Sequence, residues 1–401
     1  MKKTCGLDVH KDTVFCGIYN GKEHLEVEKF LTTTPAIRTL GEHLRGHAVR
    51  QVAIESTGTY WVPVWNILEE MGFELILVNP YLIKQMPGRK SDIKDAQWIA
   101  TLLYKGLLRG SLVPCKEVRE LRTYSRKYVK LQQRLTSVQQ EMERMLEICG
   151  IRITSFVSNI SSKSVLRIIR LITEGEKDTE VLLEKVHGRI INKHSKEKIR
   201  ESLTGFITTQ HRFILELALE EFEVLTKQSE RCLAEMEKLC REHYSRELEL
   251  LQTIPGVSLI SVMIILAETG ADMKAFENSS KFAGWTGLRP RNDESAGKYK
   301  STATTKGNKY LRAVLVQVAW AASRTKDSYF KEKFTRLSLR KPRKKALVAI
   351  SRKIAVVIWN VLHFDQAYDP CKVTVLKPGD VKAKIHYHQR EAERLEKLIR
   401  I

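Results

Sequence analysis

The sequence predicts an α/β plus α chain: a mixed sheet with helices at the amino terminus, then a predominantly helical remainder. Residues 1–112 alternate strand-like and helix-like patterns. From Leu121 to Cys149 the apolar positions instead step by threes and fours through Leu121, Tyr124, Tyr128, Leu131, Leu135, Val138, Met142, Met145 and Cys149. That is the heptad spacing of a long helix in a coiled-coil seam. Beyond residue 245, apolar helical runs at Leu259 to Leu266 and Ala346 to Leu362 frame a glycine-punctuated, cationic loop.

Thr4 to Val9 and Val14 to Tyr19 read as strands joined by the polar turn His10-Lys11-Asp12, and a third strand runs near Leu25 to Phe30. Thr34-Pro35 introduces a helix over Ala36 to Leu44. Val49 to Glu55 is a fourth strand, Trp61 to Met71 an amphipathic helix, and Phe73 to Val78 a fifth strand closed by Asn79-Pro80. Ser91 can cap the next helix, whose early acids complement its N-terminal dipole. Past the heptad helix, Ile151 to His194 is polar and helical in flavour, and Glu197 to about His243 is a helical stretch suited to fold back as an antiparallel partner. The seam could close within one chain or between two, with dimerisation favoured. Leu250 to Ser258, with its Pro255-Gly256 turn, resembles a helix-hairpin-helix whose turn amides hold a DNA phosphate. The boundaries expected are 1–112, 113–245, 246–365 and a tail, 366–401, ending in a charged helix from Gln389.

With 68 Lys and Arg against 47 Asp and Glu, the net charge is +21, so the surface attracts polyanions, nucleic acid first among them. A ribosome-associated basic protein would share that charge. Hydrophobic residues make up 43% of 401, ample for a core and against disorder. Seven cysteines include no C-x-x-C pair, which supports neither a disulfide framework nor a zinc site. No apolar stretch after Met1 resembles a signal peptide, and the run Val257 to Ala267 is too short to span a bilayer, so a cytoplasmic location and no membrane partner are expected.

Four acids point to chemistry. Asp8 ends the first strand, Glu55 ends the fourth, and Asp92 and Asp95 lie three apart on one helical face. Acids in a first helical turn are common decoration, and a strand-end Asp is often solvated; the joint pattern is what matters. Packed together, four carboxylates repel unless cations or protons neutralise them. Oxygen ligation suits Mg²⁺, with Mn²⁺ as the alternative, and two such ions about 4 Å apart can clamp both oxygens of a phosphodiester displacement. Farther on, Ser295 stands beside the small residues Ala296 and Gly297, where a nucleic-acid backbone can approach closely. Arg289, Arg291, Lys298, Lys300, Lys306, Asn308, Lys309 and Arg312 surround it as candidate nucleic-acid contacts. Taken alone, Ser295 would be one solvated loop serine among many. The cluster Arg340 to Lys345 is a further cationic contact or an ordinary charged loop.

Gly6-Leu7-Asp8-Val9-His10-Lys11, Ile54-Glu55-Ser56-Thr57-Gly58, Lys90-Ser91-Asp92-Ile93-Lys94-Asp95-Ala96 and the segment from Gly287 to Arg312 resemble, in this order, the DEDD transposases of bacterial insertion sequences, described as bridge-RNA-guided recombinases. The resemblance implies a RuvC-like, RNase H-type first domain whose acids, here Asp8, Glu55, Asp92 and Asp95, bind Mg²⁺. It also implies a second domain whose nucleophilic serine matches Ser295, a phosphoserine intermediate, a homo-oligomer joined by the coiled coil, and a structured guide RNA. The competing expectations are a RuvC-like endonuclease that hydrolyses branched DNA with metal-activated water, and an inactive DNA-binding derivative. A sugar-kinase or actin-like ATPase would need a glycine-rich phosphate turn where His10-Lys11-Asp12 stands.

Overall fold

Strand β1 (Thr4–Val9) is buried along its whole length, and its two faces serve different cores. Cys5, Leu7 and Val9 turn into an apolar layer, while Thr4, Gly6 and Asp8 face the opposite side. The computed structural model describes residues 2–56, 58–80, 91–291, 293–295, 298–301, 303–373, 385–386, 389–390, 392–393 and 396, with only the backbone at 293–295, 298–300 and 372–373. Two units divide the chain, Met1–Val113 and Pro114–Ile401.

In the first unit, β2 (Thr13–Tyr19) runs antiparallel to β1, and β3 (Glu28–Leu31) antiparallel to β2. After α1 (Thr34–Gly46), β4 (Gln51–Glu55) pairs parallel with β1; after α2 (Trp61–Glu70), β5 (Glu74–Val78) pairs parallel with β4. Helix α3 (Asp92–Tyr104) and a two-residue strand β6 (Gly110–Ser111) complete the sheet, in the order β3-β2-β1-β4-β5-β6. The edge strand β6 had no sequence signature, being too short to show alternation. Helices α1 and α2 bury Ile37, Leu40, Leu44, Val64 and Leu68 against one face, and α3 sets Ile99 and Leu103 against Ala53 and Val78 on the other.

The seat for α3 is made of glycine. Gly6 and Gly17 lie opposite each other in the β1–β2 register. A Cβ on Gly6 would meet Ala96 O and would lie 2.5 Å from Ala100 N; one on Gly17 would lie 2.9 Å from Gln97 N. Thr4 Oγ1 donates to Ala100 O at 2.9 Å across the same contact. The helix backbone therefore rests directly on the sheet, with its first turn near the carboxyl end of β1.

The second unit begins with α4 (Lys116–Ile148), followed by α5 (Lys163–Glu174), α6 (Thr179–Glu184), α7 (Gly188–His194), α8 (Lys196–Leu203) and α9 (Thr209–His243). Helices α4 and α9 are antiparallel. Cys115 Sγ lies 3.7 Å from Tyr244 Oη at one end, Gln132 Nε2 donates to Ser229 Oγ at 2.6 Å midway, and Phe206 N donates to Cys149 O at 2.7 Å at the other end. The expected stepping needs adjustment: Tyr124 is exposed, whereas Ser125 and Leu146 are buried. The physical reason is that the two ends of α4 meet different third partners: Val118 and Leu121 join a core with Val262 and Met263 of the segment Leu259–Thr269, while Leu146 joins one with Val165, Ile168, Ile169 and Ile172 of α5. The stretch expected to run helically from Glu197 breaks after Leu203, and α9 restarts from a Thr208–His211 capping box.

A second core gathers α10 (Ser245–Gln252), α11 (Leu259–Thr269), α12 (Ser279–Trp285), α13 (Lys309–Ala322), α14 (Tyr329–Ser338) and α15 (Arg343–Phe364), with Phe282, Leu315, Phe330 and Ile354 at its centre; the hairpin of β7 (Asp293–Ser295) and β8 (Lys298–Ser301) lies between α12 and α13 in sequence. The Pro255-Gly256 turn packs inward: at Gly256 (φ +84°) a Cβ would lie 2.8 Å from Val318 O, so this glycine serves a crossing with α13. Helix α15 is long and apolar enough to cross a membrane by length and composition, yet Ile350, Ile354 and Ile358 are buried in this core. Most of the expected terminal helix from Gln389 lies outside the described residues.

Replacing Gly6 with Ala should lower stability by about 1–3 kcal/mol, the scale of overpacking against an unyielding backbone. Gly46→Ala, where nothing lies within 4 Å of a new Cβ, should change little. Chemical denaturation of both variants checks this.

Candidate active site

The parallel pairing of Leu7 with Ile54 brings the carboxyl ends of β1 and β4 side by side, so Asp8 and Glu55 emerge next to each other. Since Ala53 belongs to the α3-facing core, two-residue alternation puts Glu55 on that face too. Helix α3 supplies the other acids in its first turn: Ser91 Oγ accepts from Lys94 N at 3.4 Å, and Asp95 N donates to Ser91 O at 2.9 Å.

Asp8 is buried and its carboxyl is pushed up to about 6. Burial is the chief cause, His10 opposes it, and Glu55, Asp92 and Asp95 push further upward. All three other acids are thus close enough to act on Asp8. They differ in exposure: Glu55 and Asp95 are half-buried and Asp92 is exposed.

His10 is the residue sequence reasoning missed. Its backbone N donates to Thr13 O at 2.8 Å, closing the β1–β2 turn, and its ring stands edge-on to Phe15. Nε2 lies 3.3 Å from Asp8 Oδ2 and 3.6 Å from Asp92 Oδ1, yet it is buried without a well-directed hydrogen bond. Among the described residues, Asp8, His10 and Asp92 bring one ligand atom each within 4.8 Å of one another. A carboxylate raised chiefly by burial and further by its acidic neighbours, beside an under-satisfied imidazole, fits a divalent cation that would relieve both. The only sequence signal for His10 was its place two residues beyond Asp8.

In the second unit, the serine segment is a β-hairpin rather than a loop. Ser295 is the last residue of β7 and pairs with Lys298; its side chain and those of Lys298 and Lys300, with all of Ala296 and Gly297, lie outside the described parts. The excursion is closed at its root. Thr305 N donates to Arg289 O at 2.9 Å and Arg291 N to Ala303 O at 3.0 Å. Beneath them Gly287 (φ +76°) crosses Gly307 so closely that a Cβ on Gly287 would lie 3.0 Å from Gly307 N. Arg289, Arg291, Lys306 and Lys309 are exposed, and Arg312 is half-buried.

Asn308 is engaged within the protein. Its Oδ1 caps α13 by accepting from Tyr310 N and Leu311 N at 3.0 and 3.2 Å, and its Nδ2 donates to Glu268 Oε2 at 2.6 Å. Glu268, fully buried, also accepts two hydrogen bonds from Arg126, each 2.9 Å, while Arg122 donates to the Ala267 and Glu268 carbonyls. The available signal was a lone acid ending the otherwise apolar helix α11.

A family model described as Transposase matches residues 5–151, and one described as Transposase IS116/IS110/IS902 family matches residues 248–335. The chain is 24% identical over 328 residues to a probable family 20 transposase of Pseudomonas aeruginosa, covering 80% of this chain and 86% of that protein. It is 26% identical over 330 residues to the putative transposase y4pF/y4sB of Sinorhizobium fredii, covering 79% and 74%. Among solved structures it is similar to T. thermophilus RuvC in complex with Holliday junction substrate, with 15% identity, a TM-score of 0.23, and coverage of 28% of this chain and 100% of that chain.

The raised carboxyl of Asp8 sets a pH dependence. Between its ordinary value of 3.8 and about 6, the folded metal-free chain binds more protons at Asp8 than the unfolded chain, so that contribution to stability is present at low pH and lost as pH rises through 6. Asp8→Asn should remove this decline, and thermal midpoints of both proteins across pH 4–7 would reveal it. Protons compete with a cation for the same carboxylate, so Mg²⁺ or Mn²⁺ affinity measured by calorimetry should fall as pH drops below 6.

Proposed function

The chain belongs to the IS116/IS110/IS902 family of transposases, and on that premise we propose that it cuts and rejoins the DNA of an insertion sequence through a phosphoserine intermediate. The observation that carries this reading is the gathering of Glu55, Asp92 and Asp95 around a buried Asp8 whose carboxyl is pushed up to about 6. These acids would hold Mg²⁺ or Mn²⁺, with His10 at the rim. When bound, such ions would promote deprotonation of an oxygen nucleophile and neutralise charge on the leaving oxygen.

Ser295, at the end of β7, supplies the nucleophile. Its Oγ forms a bond to phosphorus as the bond from phosphorus to one strand oxygen breaks; the serine proton is lost and the departing oxygen gains one. The ester conserves bond energy, so a second strand hydroxyl can displace serine and reseal the backbone. Arg289, Arg291, Lys298, Lys300, Lys306, Lys309 and Arg312 neutralise phosphate oxygens along this path. Asn308 contributes by fixing the start of α13.

Serine and acids lie on separate units, so the reading includes a composite site assembled in a homo-oligomer, dimer or tetramer, through a coiled coil. Exposed Phe213, Leu217 and Val224 on α9, four and seven residues apart, support a seam for a second copy. A structured guide RNA pairing with donor and target DNA, and action in the cytoplasm, belong to the same proposal.

Ser295→Ala should abolish a covalent protein–DNA band on denaturing gels with labelled element-junction DNA. It should also reduce strand transfer at least about a thousandfold, the scale on which loss of a nucleophile acts. Cleavage by wild-type protein without any such band would instead identify a RuvC-like hydrolase in which Ser295 only contacts DNA.

A further inference from the structure

At the root of the serine excursion lies a cleft of about 470 Å³, within the range of roughly 300–1,000 Å³ that small ligands occupy. Its walls are aromatic and cationic: Trp285 and Tyr310, with Arg126, Lys306 and Lys309. Trp285 is half-buried and braced by Phe276 and Phe282, with ring centroids 5.2 and 6.2 Å away, so its remaining surface is held in a fixed attitude toward the cleft. Tyr310 carries the Arg126 guanidinium 4.7 Å and Lys309 Nζ 5.2 Å from its ring centroid. Among the described residues, no acid lines the space. Glu268, fully buried beneath Arg126, is engaged by Arg126 and Arg122, so it leaves the charge of Lys306 and Lys309 uncompensated.

We infer that this cleft holds one unstacked nucleotide of a DNA strand, its base against Trp285 and its phosphate between Lys306 and Lys309. Cations alone would serve any anion; the rigid aromatic wall beside them matches a flat, apolar base joined to a phosphate. The inference rests on the reading of Ser295 as the residue that meets DNA. From the root pair Arg289 and Thr305, six residues lead to Ser295, a chain length of at most roughly 20 Å. The nucleotide gripped is therefore within a few positions of the phosphate that Ser295 would attack. Chemistry would occur at the hairpin tip while the cleft sets which stretch of strand is presented there.

The test is equilibrium binding of a fluorescein-labelled oligothymidylate to the full chain carrying Ser295→Ala, without divalent ions, so no cleavage contributes and failure of the serine chemistry would leave the result unaffected. The double variant Lys306→Ala/Lys309→Ala should bind about tenfold more weakly, and its log K against log salt slope should be shallower by about 1.4, two phosphate contacts' worth on a single strand. Trp285→Leu should weaken binding tenfold or more, with Trp285→Tyr restoring most of it. An abasic oligomer of equal length should bind wild type no better than it binds Trp285→Leu. Equal affinity of wild type for abasic and thymidylate strands would reduce the cleft to a phosphate contact and overturn the inference. Tenfold preference for oligouridylate would overturn it in favour of RNA. Should Trp285→Leu fail to fold, the abasic comparison on the Ser295→Ala chain alone decides.

Discussion

The close contact of α3 with the glycine pair Gly6 and Gly17 is the constraint on which the acidic site depends. Two of the four acids are carried by strands and two by the first turn of a helix, so the distance between the pairs is set by how deeply that helix sits on the sheet. With Cβ atoms at positions 6 and 17, the helix could not keep its present position, because Ala96 O, Ala100 N and Gln97 N occupy the space they would need. Small residues on both surfaces and the Thr4–Ala100 hydrogen bond fix the height and the register together. Ordinary helix–sheet packing through large side chains would lift Asp92 and Asp95 away from Asp8.

That geometry creates an electrostatic problem at the carboxyl end of β1. Asp8 is nearly inaccessible to water and feels three other carboxylates, while among the described residues His10 lowers its proton affinity. A stable fold tolerates such repulsion when a cation is expected in its midst, or at the cost of retaining a proton. His10 stands within 3.3 Å of Asp8 and 3.6 Å of Asp92, where a positive charge is most favourable.

The first sheet was legible because its strands obey local rules. Thr4 to Val9 alternates between two buried faces, Glu55 follows three apolar residues, and Ser91 caps a helix whose acids lie one turn into it; each feature is written within a few neighbouring residues. Strand β6 escaped because two residues carry no period. His10 escaped because its importance arises from Asp92, more than eighty positions away, being lowered onto the sheet. In the second unit, the heptad reading found the long helix α4 but took Tyr124 as a seam position, since helix α11, which packs against the start of α4, lies far from it in sequence. Asn308 stood among lysines as a candidate nucleic-acid contact; its bond to a buried glutamate forty residues earlier is a further, structural task that the sequence did not display.

That glutamate explains how a polar excursion can be held accurately. Glu268 sits at the end of an apolar helix and ties three elements at once: α4 through Arg126, α11 on which it lies, and the start of α13 through Asn308. A buried ion pair seldom adds net stability over apolar packing, although removing one partner costs about 3–5 kcal/mol. Its use here is better understood as directional. Apolar side chains slide over one another at little cost, whereas a bidentate guanidinium and a capping amide meet a carboxylate in one arrangement. The same carboxylate thus fixes Arg126 against Tyr310 and fixes Asn308 one residue after the Gly287–Gly307 crossing. The root of the serine hairpin and the walls of the adjoining cleft are consequently positioned by a single buried charge.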